Sequence, residues 1–270
     1  MATPADRLAA GLALVALALG AGPPIASALE YRGEGHGFQT VGFPGPPQIA
    51  AAERFLATRA GRTALAVVDT HGRLSGVRMD ERFVSASVVK AMLLVAYLQR
   101  LARMRSELDA GSRALLYPMI HVSDNGAASA VQAIVGNGAL LSLAHQAHMT
   151  DFAVADNWIF TQISAADQAR YFFMQDGLIP ARFRGYARYL LSSISADQSW
   201  GVPAAARPGW RVFFKGGWLP ESLGLVNQVA RLERGGQKFA LAFLTDGDPS
   251  MAYGEQTIEG VAARLVGTAR

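Results

Sequence analysis

RVFFKGGWLPESLGLVNQVARLERGGQKFALAFLT, residues 211–245, decides the fold. Three apolar runs, Arg211 to Phe214, Leu223 to Leu232 and Lys238 to Thr245, read as strands, and Arg234-Gly235-Gly236 turns the chain between the last two. Working outward, Glu255 to Val266 closes the chain as an amphipathic helix. Toward the N-terminus, Ala64 to Asp69 and Leu74 to Met79 read as a strand pair around a His71-Gly72-Arg73 turn, preceded by helical composition from Ile49 to Arg59 that ends at Gly61. Between these ends the pattern is helical. Val88, Met92, Val95 and Leu98 recur at three- and four-residue steps, which predicts a long buried helix over Ser87 to Leu101. Helical character continues to about Ser195, with a capping-box-like start at Ser164-Ala165-Ala166-Asp167 and another helix opened by Pro180 and running through Tyr189. The expected fold class is therefore α/β of the α+β kind: an antiparallel five-stranded sheet built from both ends of the chain, flanked by the terminal helices, with an all-helical lobe inserted. In residues, the α/β lobe takes about 49–85 plus 205–270 and the helical lobe about 86–204, and a cleft between them is the expected place for a site.

The first 28 residues read as an export signal. Arg7 follows the free amine, Leu8 to Gly20 is a short apolar run, and Ala26-Ser27-Ala28 has the small-residue pattern of a cleavage site. A secreted, periplasmic or cell-envelope location follows, with cleavage near Ala28. Residues 29–48, rich in Gly and Pro and without apolar period, read as a linker. No run reaches the roughly 18 apolar residues that a membrane span needs, so no stable span is expected once the signal is removed.

Composition excludes several chemistries. The 270 residues contain no cysteine, which removes thiol nucleophiles, thiolate-ligated zinc and iron–sulfur clusters, and leaves the core to hold the fold without disulfides. The formal charge of +4 comes without a basic run or aromatic-basic alternation, so nucleic acid is not an expected partner. No cofactor and no metal are expected: His145 and His148 are spaced as on one helix face, yet no third ligand accompanies them. Arginine supplies 22 of the 25 basic residues, and lysine stands only at 90, 215 and 238. Lysine differs from arginine in that its pKa can be lowered far enough to lose a proton.

Three short motifs occur in order: Ser87-Val88-Val89-Lys90, Ser123-Asp124-Asn125 and Lys215-Gly216-Gly217. A three-residue step at a helix start stacks the Lys90 amine over the Ser87 hydroxyl. A serine hydroxyl becomes a good nucleophile when a neighbouring base takes its proton, and burial together with a second cation, Lys215, would make Lys90 such a base. Ser123 would relay the proton to a leaving nitrogen, Asn125 would hold a substrate amide, and Lys215 would attract a substrate carboxylate. The backbone N–H of Ser87 and that of Trp218, after Gly217, would form an oxyanion hole. Catalytic candidates are thus Ser87, Lys90, Ser123 and Lys215, and substrate-binding candidates Asn125, Gly217 and Trp218. The plainer reading makes Ser87 a helix cap, Lys90 a solvated lysine, and Ser123 and Asn125 caps of the next helix. Asp124 reads as a brace for its loop. His121 beside Ser123 invites a Ser–His reading, which sequence adjacency does not support.

The stretch from Ala64 through Asp80-Glu81-Arg82-Phe83 to Lys90 resembles the strand pair and nucleophile helix of class A β-lactamases, Ser123-Asp124-Asn125 is similar to their second motif, and Lys215-Gly216-Gly217 to their third. The resemblance runs from about Ile49 to the C-terminus and implies a β-lactamase-like fold and a serine hydrolase that forms an acyl-enzyme with a small-molecule β-lactam or a peptidoglycan-like substrate. Two departures stand out. Gly216 replaces the family's third-motif hydroxyl, and no glutamate lies between Glu107 and Glu221 to serve as the family's deacylating base. Asp156, in the shortened segment from Thr150 to Ser164, is the candidate substitute. Rival readings are a D,D-peptidase-like or esterase-like envelope enzyme, and a penicillin-binding-fold protein that binds without turnover.

Overall fold

The computed structural model describes residues 42–266, which fall in one compact unit. The signal segment and its cleavage point lie outside the described residues. Strands β1 (Arg62–Val68), β2 (Leu74–Val77), β5 (Arg211–Trp218), β6 (Val226–Arg234) and β7 (Gln237–Asp246) form one antiparallel sheet in the order β2-β1-β7-β6-β5. This is the expected five-stranded sheet. Gly235 and Gly236 connect β6 to β7 as a two-residue turn with both φ positive, at 55° and 81°, a conformation that glycine adopts without steric cost.

Helices cover both faces, which explains why β1 is buried at six of its seven positions instead of alternating. The terminal helices α1 (Pro46–Leu56) and α9 (Met251–Val266) pack together on one face. The other face is covered by α6 (Ala165–Leu178), which packs on β7, β1 and β6. Ser164 starts α6 as expected: its Oγ accepts the Asp167 N–H at 3.3 Å, a cap of a kind worth about 1 kcal/mol. The remaining helices, α2 (Lys90–Arg103), α3 (Ala110–His121), α4 (Asn125–Val135), α5 (Asn137–Gln146) and α7 (Ala181–Ser192), build the helical half, with α2 at its centre and buried from Lys90 through Leu98. A short helix α8 (Val202–Ala205) packs on α9. Among the described residues no single helix is long and apolar enough to cross a membrane.

Four expectations need correction. The long helix does not begin at Ser87; residues Ala86–Val89 form a 3-10 turn and the α-helix begins at Lys90. The inserted segment is not wholly a helical lobe, because α6 lies on the sheet and Gln162–Ser164 forms a strand, β4, paired with β3 (Arg82–Val84). Residues 42–48 are not all linker. Phe43 exchanges hydrogen bonds with Thr70 and packs its ring on Trp210 and Phe239, with centroids 5.8 and 5.4 Å apart, so α1 starts at Pro46 on an already anchored chain. Finally, His148 lies past the end of α5 with φ of 53°, so it shares no helix face with His145.

Candidate active site

The nucleophile candidate sits at a backbone kink. Ala86 has φ of 44°, a left-handed conformation that costs a non-glycine residue energy and persists where its surroundings fix it. Here Ser85 fixes it: its Oγ accepts the Val89 N–H at 2.9 Å and its N–H bonds to Thr161 O at 2.8 Å. The edge strand β5 then passes so close that a Cβ on Gly217 would lie 2.7 Å from the Ser87 nitrogen and 2.8 Å from that of Val88. Only glycine fits there. Gly217 therefore packs against the Ser87 turn and is not among the residues that line the cleft.

Across from Ser87, the link between α3 and α4 carries Ser123, itself left-handed at φ of 56°. Asp124 is the brace expected: its side chain accepts the Ala127 N–H at 2.6 Å and caps α4, a task that Ser123 and Asn125 do not perform. Ser123 and Asn125 are free to face the lysines. Lys90 Nζ donates to Ser123 O at 2.5 Å, Asn125 Oδ1 at 2.7 Å and Ser123 Oγ at 3.1 Å. From the other side Lys215 Nζ donates to the same Ser123 Oγ at 3.0 Å and to Gly216 O at 2.8 Å. The Lys90 amine thus spends its hydrogen bonds on Ser123 and Asn125, across from the turn it shares with Ser87. Its upper side is closed by Trp158, whose ring centroid is 4.5 Å from Nζ and whose indole N–H donates to Ser129 Oγ at 3.1 Å.

Both lysines are fully buried, and this sets their charge. Burial holds the Lys90 amine down to about 7, against a smaller upward pull from the Asp124 carboxylate. Burial pushes the Lys215 amine well below the ordinary lysine range, and the nearby Lys90 adds to the effect. Burial is the largest cause for both amines. The Ser123 oxygen has two lone pairs and can accept from both amines in either charge state. The Ser123 hydroxyl has one proton and sits between two nitrogens, so it can donate to an amine only where that amine offers a lone pair. A neutral Lys90 would give its two hydrogens to Ser123 O and Asn125 Oδ1, which are pure acceptors, and keep its lone pair for a hydroxyl.

Ser123 and Asn125 line a cleft of about 470 Å³ together with Ser87, Trp158, Trp218 and Glu221, and the two lysine amines bond to them from behind that lining. Trp218 is in the cleft wall. Lys215, expected to attract a substrate carboxylate, has its amine turned to Ser123 and its own strand and is not among the lining residues. Asp156 is outside as well: it is exposed in an adjoining hollow, where Oδ1 accepts from Asn137 Nδ2 at 3.2 Å. His121 is engaged elsewhere, its Nδ1 against Ser193 O and its ring stacked on Tyr117.

The model of the Beta-lactamase enzyme family matches residues 102–269, more than half of the chain. The chain belongs to this family. The match begins after Ser87 and Lys90, so the placement of those two rests on the geometry above. No curated protein matches the sequence. Among solved structures, the fold is similar to a β-lactamase from Sphaerobacter thermophilus, with TM-score 0.71, 19% identity, and 81% of this chain and 95% of that one covered. It is likewise similar to a class A β-lactamase from Mycobacterium abscessus, with TM-score 0.68, 20% identity and coverage of 81% and 97%. A class A representative from Bacteroides cellulosilyticus gives TM-score 0.73 at 14% identity, with coverage of 83% and 97%. The fold of this β-lactamase-family chain is that of the class A enzymes.

Motif reading did not find the Trp158 lid over Lys90, nor Val122, Ile159, Glu221 and Met251 in the cleft wall. Trp158 had a faint signal, an indole two residues after the nominated Asp156. The others are single residues in irregular segments, without any pattern that marks a site.

Proposed function

We propose that this β-lactamase-family chain is a serine hydrolase acylated on Ser87 by β-lactams or related acyl compounds. Ser87 Oγ attacks the carbonyl carbon, the carbonyl carbon–nitrogen bond breaks, and the hydroxyl proton ends on the leaving nitrogen. Lys90, neutral in part of the population near pH 7, takes that proton, and Ser123, bonded to both lysines, relays it. Lys215 keeps the relay at the right potential for protons rather than touching the substrate. The Ser87 and Trp218 backbone N–H groups are the proposed oxyanion hole, and the Asn125 amide, its Oδ1 held by Lys90, offers Nδ2 to a substrate carbonyl. Export through residues 1–28 belongs to the same reading.

The observation that carries the proposal is the Ser123 hydroxyl, in the wall of the cleft that Ser87 also lines, held at 3.0 and 3.1 Å by two fully buried lysines. Burying two amines is expensive, and a structural serine needs neither. Purified protein mixed with benzylpenicillin and with a chromogenic cephalosporin, followed by intact-protein mass spectrometry, tests it. An adduct that maps to Ser87 and is absent from Ser87→Ala is expected. With no adduct and no antibiotic consumed, the reading fails and a binding role takes its place.

A further inference from the structure

Among the described residues that line the cleft, Glu221 is the one ionisable side chain. It is exposed, at the start of a 3-10 turn that follows β5. The rest of the wall is largely apolar, with Trp158, Ile159, Trp218, Leu219 and Met251. The rim continues this character: Val122 is 48% exposed, and Leu223, two residues from Glu221, is 54% exposed. No lysine or arginine is among these lining residues; Lys90 and Lys215 are fully buried with their amines bonded to Ser123, Asn125 and Gly216. Nor does β5 offer a side-chain hydroxyl beside Lys215. Gly216 has no side chain, and Trp200 fills the space beside it, with ring atoms 3.1 and 3.2 Å from where a Cβ would stand.

A carboxylate entering this cleft would lose water without a cationic side chain in the wall to pair with, and would meet Glu221 as a like charge. An uncharged group loses little, and an ammonium gains a partner. We propose that the cleft selects acyl compounds with no carboxylate beside the scissile bond, and that Glu221 favours those bearing an ammonium group. The proposal names the substrate class for the acylation of Ser87 and rests on that reading.

Three compounds on one β-lactam skeleton test it: benzylpenicillin, its methyl ester, and ampicillin methyl ester, which carry a carboxylate, no charge and an ammonium group. Rates of Ser87 adduct formation are measured by intact-protein mass spectrometry and divided by each compound's rate of alkaline hydrolysis, so that intrinsic reactivity cancels. The expected order is ammonium first, neutral second and carboxylate last, with steps of about three- to fivefold, the scale of an exposed charge pair. Glu221→Lys, a surface change, should invert the order of the two charged compounds. Fastest labelling by benzylpenicillin, or an order unmoved by Glu221→Lys, overturns the selectivity while leaving acylation standing. No labelling by any of the three overturns acylation itself, and the selectivity with it.

Discussion

Replacing Gly217 by alanine would drive a methyl group into the turn that carries Ser87. Its Cβ would lie 2.7 Å from the Ser87 nitrogen, 2.8 Å from the Val88 nitrogen and 3.0 Å from the Ser85 carbonyl oxygen. Non-bonded carbon contacts settle near about 3.5 Å, so β5 and the turn must separate by roughly 0.5–0.8 Å. All three atoms are backbone, and none can swing aside by rotating a side chain. Such overpacking costs about 1–3 kcal/mol of stability. The loss in acylation should be larger in proportion, because the displacement moves Ser87 relative to the Trp218 backbone that is proposed to share its oxyanion hole. Misplacement by about 1 Å costs on the order of a hundredfold, so a tenfold to hundredfold slower adduct formation is expected, read by mass spectrometry on protein whose thermal unfolding is still cooperative. Gly216→Ala is the control. There the clash is with the Trp200 ring at 3.1 and 3.2 Å, a side chain that can yield by a few tenths of an ångström, and acylation should stay within about threefold of wild type given so small a shift. Equal rates in Gly217→Ala and wild type would show that β5 does not set the geometry at Ser87.

Lys90→Arg should slow acylation by about a hundredfold to ten-thousandfold, since arginine keeps its proton and general-base help is worth that much; stopped-flow labelling at a wild-type rate would remove Lys90 as the base. In wild type the acylation rate should rise with pH through about 7 as the Lys90 amine loses its proton, and a rate independent of pH from 5.5 to 8.5 would contradict this. Stability should also rise with pH above 7: the unfolded chain keeps both lysines protonated to about 10.4 while burial lowers them in the fold, so the unfolded state binds more protons and the slope is positive, up to about 1.4 kcal/mol per pH unit for each lysine. A melting temperature that falls between pH 7 and 9 would show the sign to be wrong. Away from the site, Arg231 is buried on β6 with Asp176 and Glu233 as counter-ions, both at 3.0 Å; Asp176→Asn with Glu233→Gln should cost about 3–5 kcal/mol in denaturant unfolding by stranding that charge. Lys238→Arg should change stability by less than about 0.5 kcal/mol, because Lys238 is exposed and its contacts, a bond to Phe173 O at 3.1 Å and the Phe173 ring at 4.3 Å, are ones a guanidinium also makes.

The sheet was legible because its strands lie between two helical layers and read as nearly continuous apolar runs, with Gly235-Gly236 marking the turn. The strand pair β3–β4 was not, since three residues are too few for a period and Gln162-Ile163-Ser164 runs directly into the cap of α6, whose stronger signal masks it. Phe43 was hidden for a different reason: an isolated aromatic among glycines and prolines has no periodicity, and its partners Trp210 and Phe239 are remote in sequence. At the site, the scarcity of lysine singled out Lys90 and Lys215, and both do meet at Ser123. What spacing could not supply was direction. An i to i+3 step places two residues on one face but does not say whether a four-carbon side chain turns to its neighbour on the helix or across to another segment, and here the Ser123 carbonyl and the Asn125 amide decide that.

The same arrangement bears on the fate of the acyl-enzyme. Acyl transfer needs a base twice, once for the serine and once for water, and assistance at the second step is commonly worth about a hundredfold to ten-thousandfold. Asp156 is poorly placed to give it, being exposed in the adjoining hollow and bonded to Asn137, while the buried Trp158 covers Lys90. Glu221, the one carboxylate among the described lining residues, is open to solvent. If Lys90 and Ser123 must serve both steps, the two steps should share one pH dependence, rising through about 7. Loss of the Ser87 adduct should then be slow near neutrality, quicken as the pH is raised toward 8.5, and remain unchanged in Asp156→Asn. Adduct decay that is fast at pH 6, or that slows sharply in Asp156→Asn, would mean that water is activated by a carboxylate after all, and that the two lysines act in acylation alone.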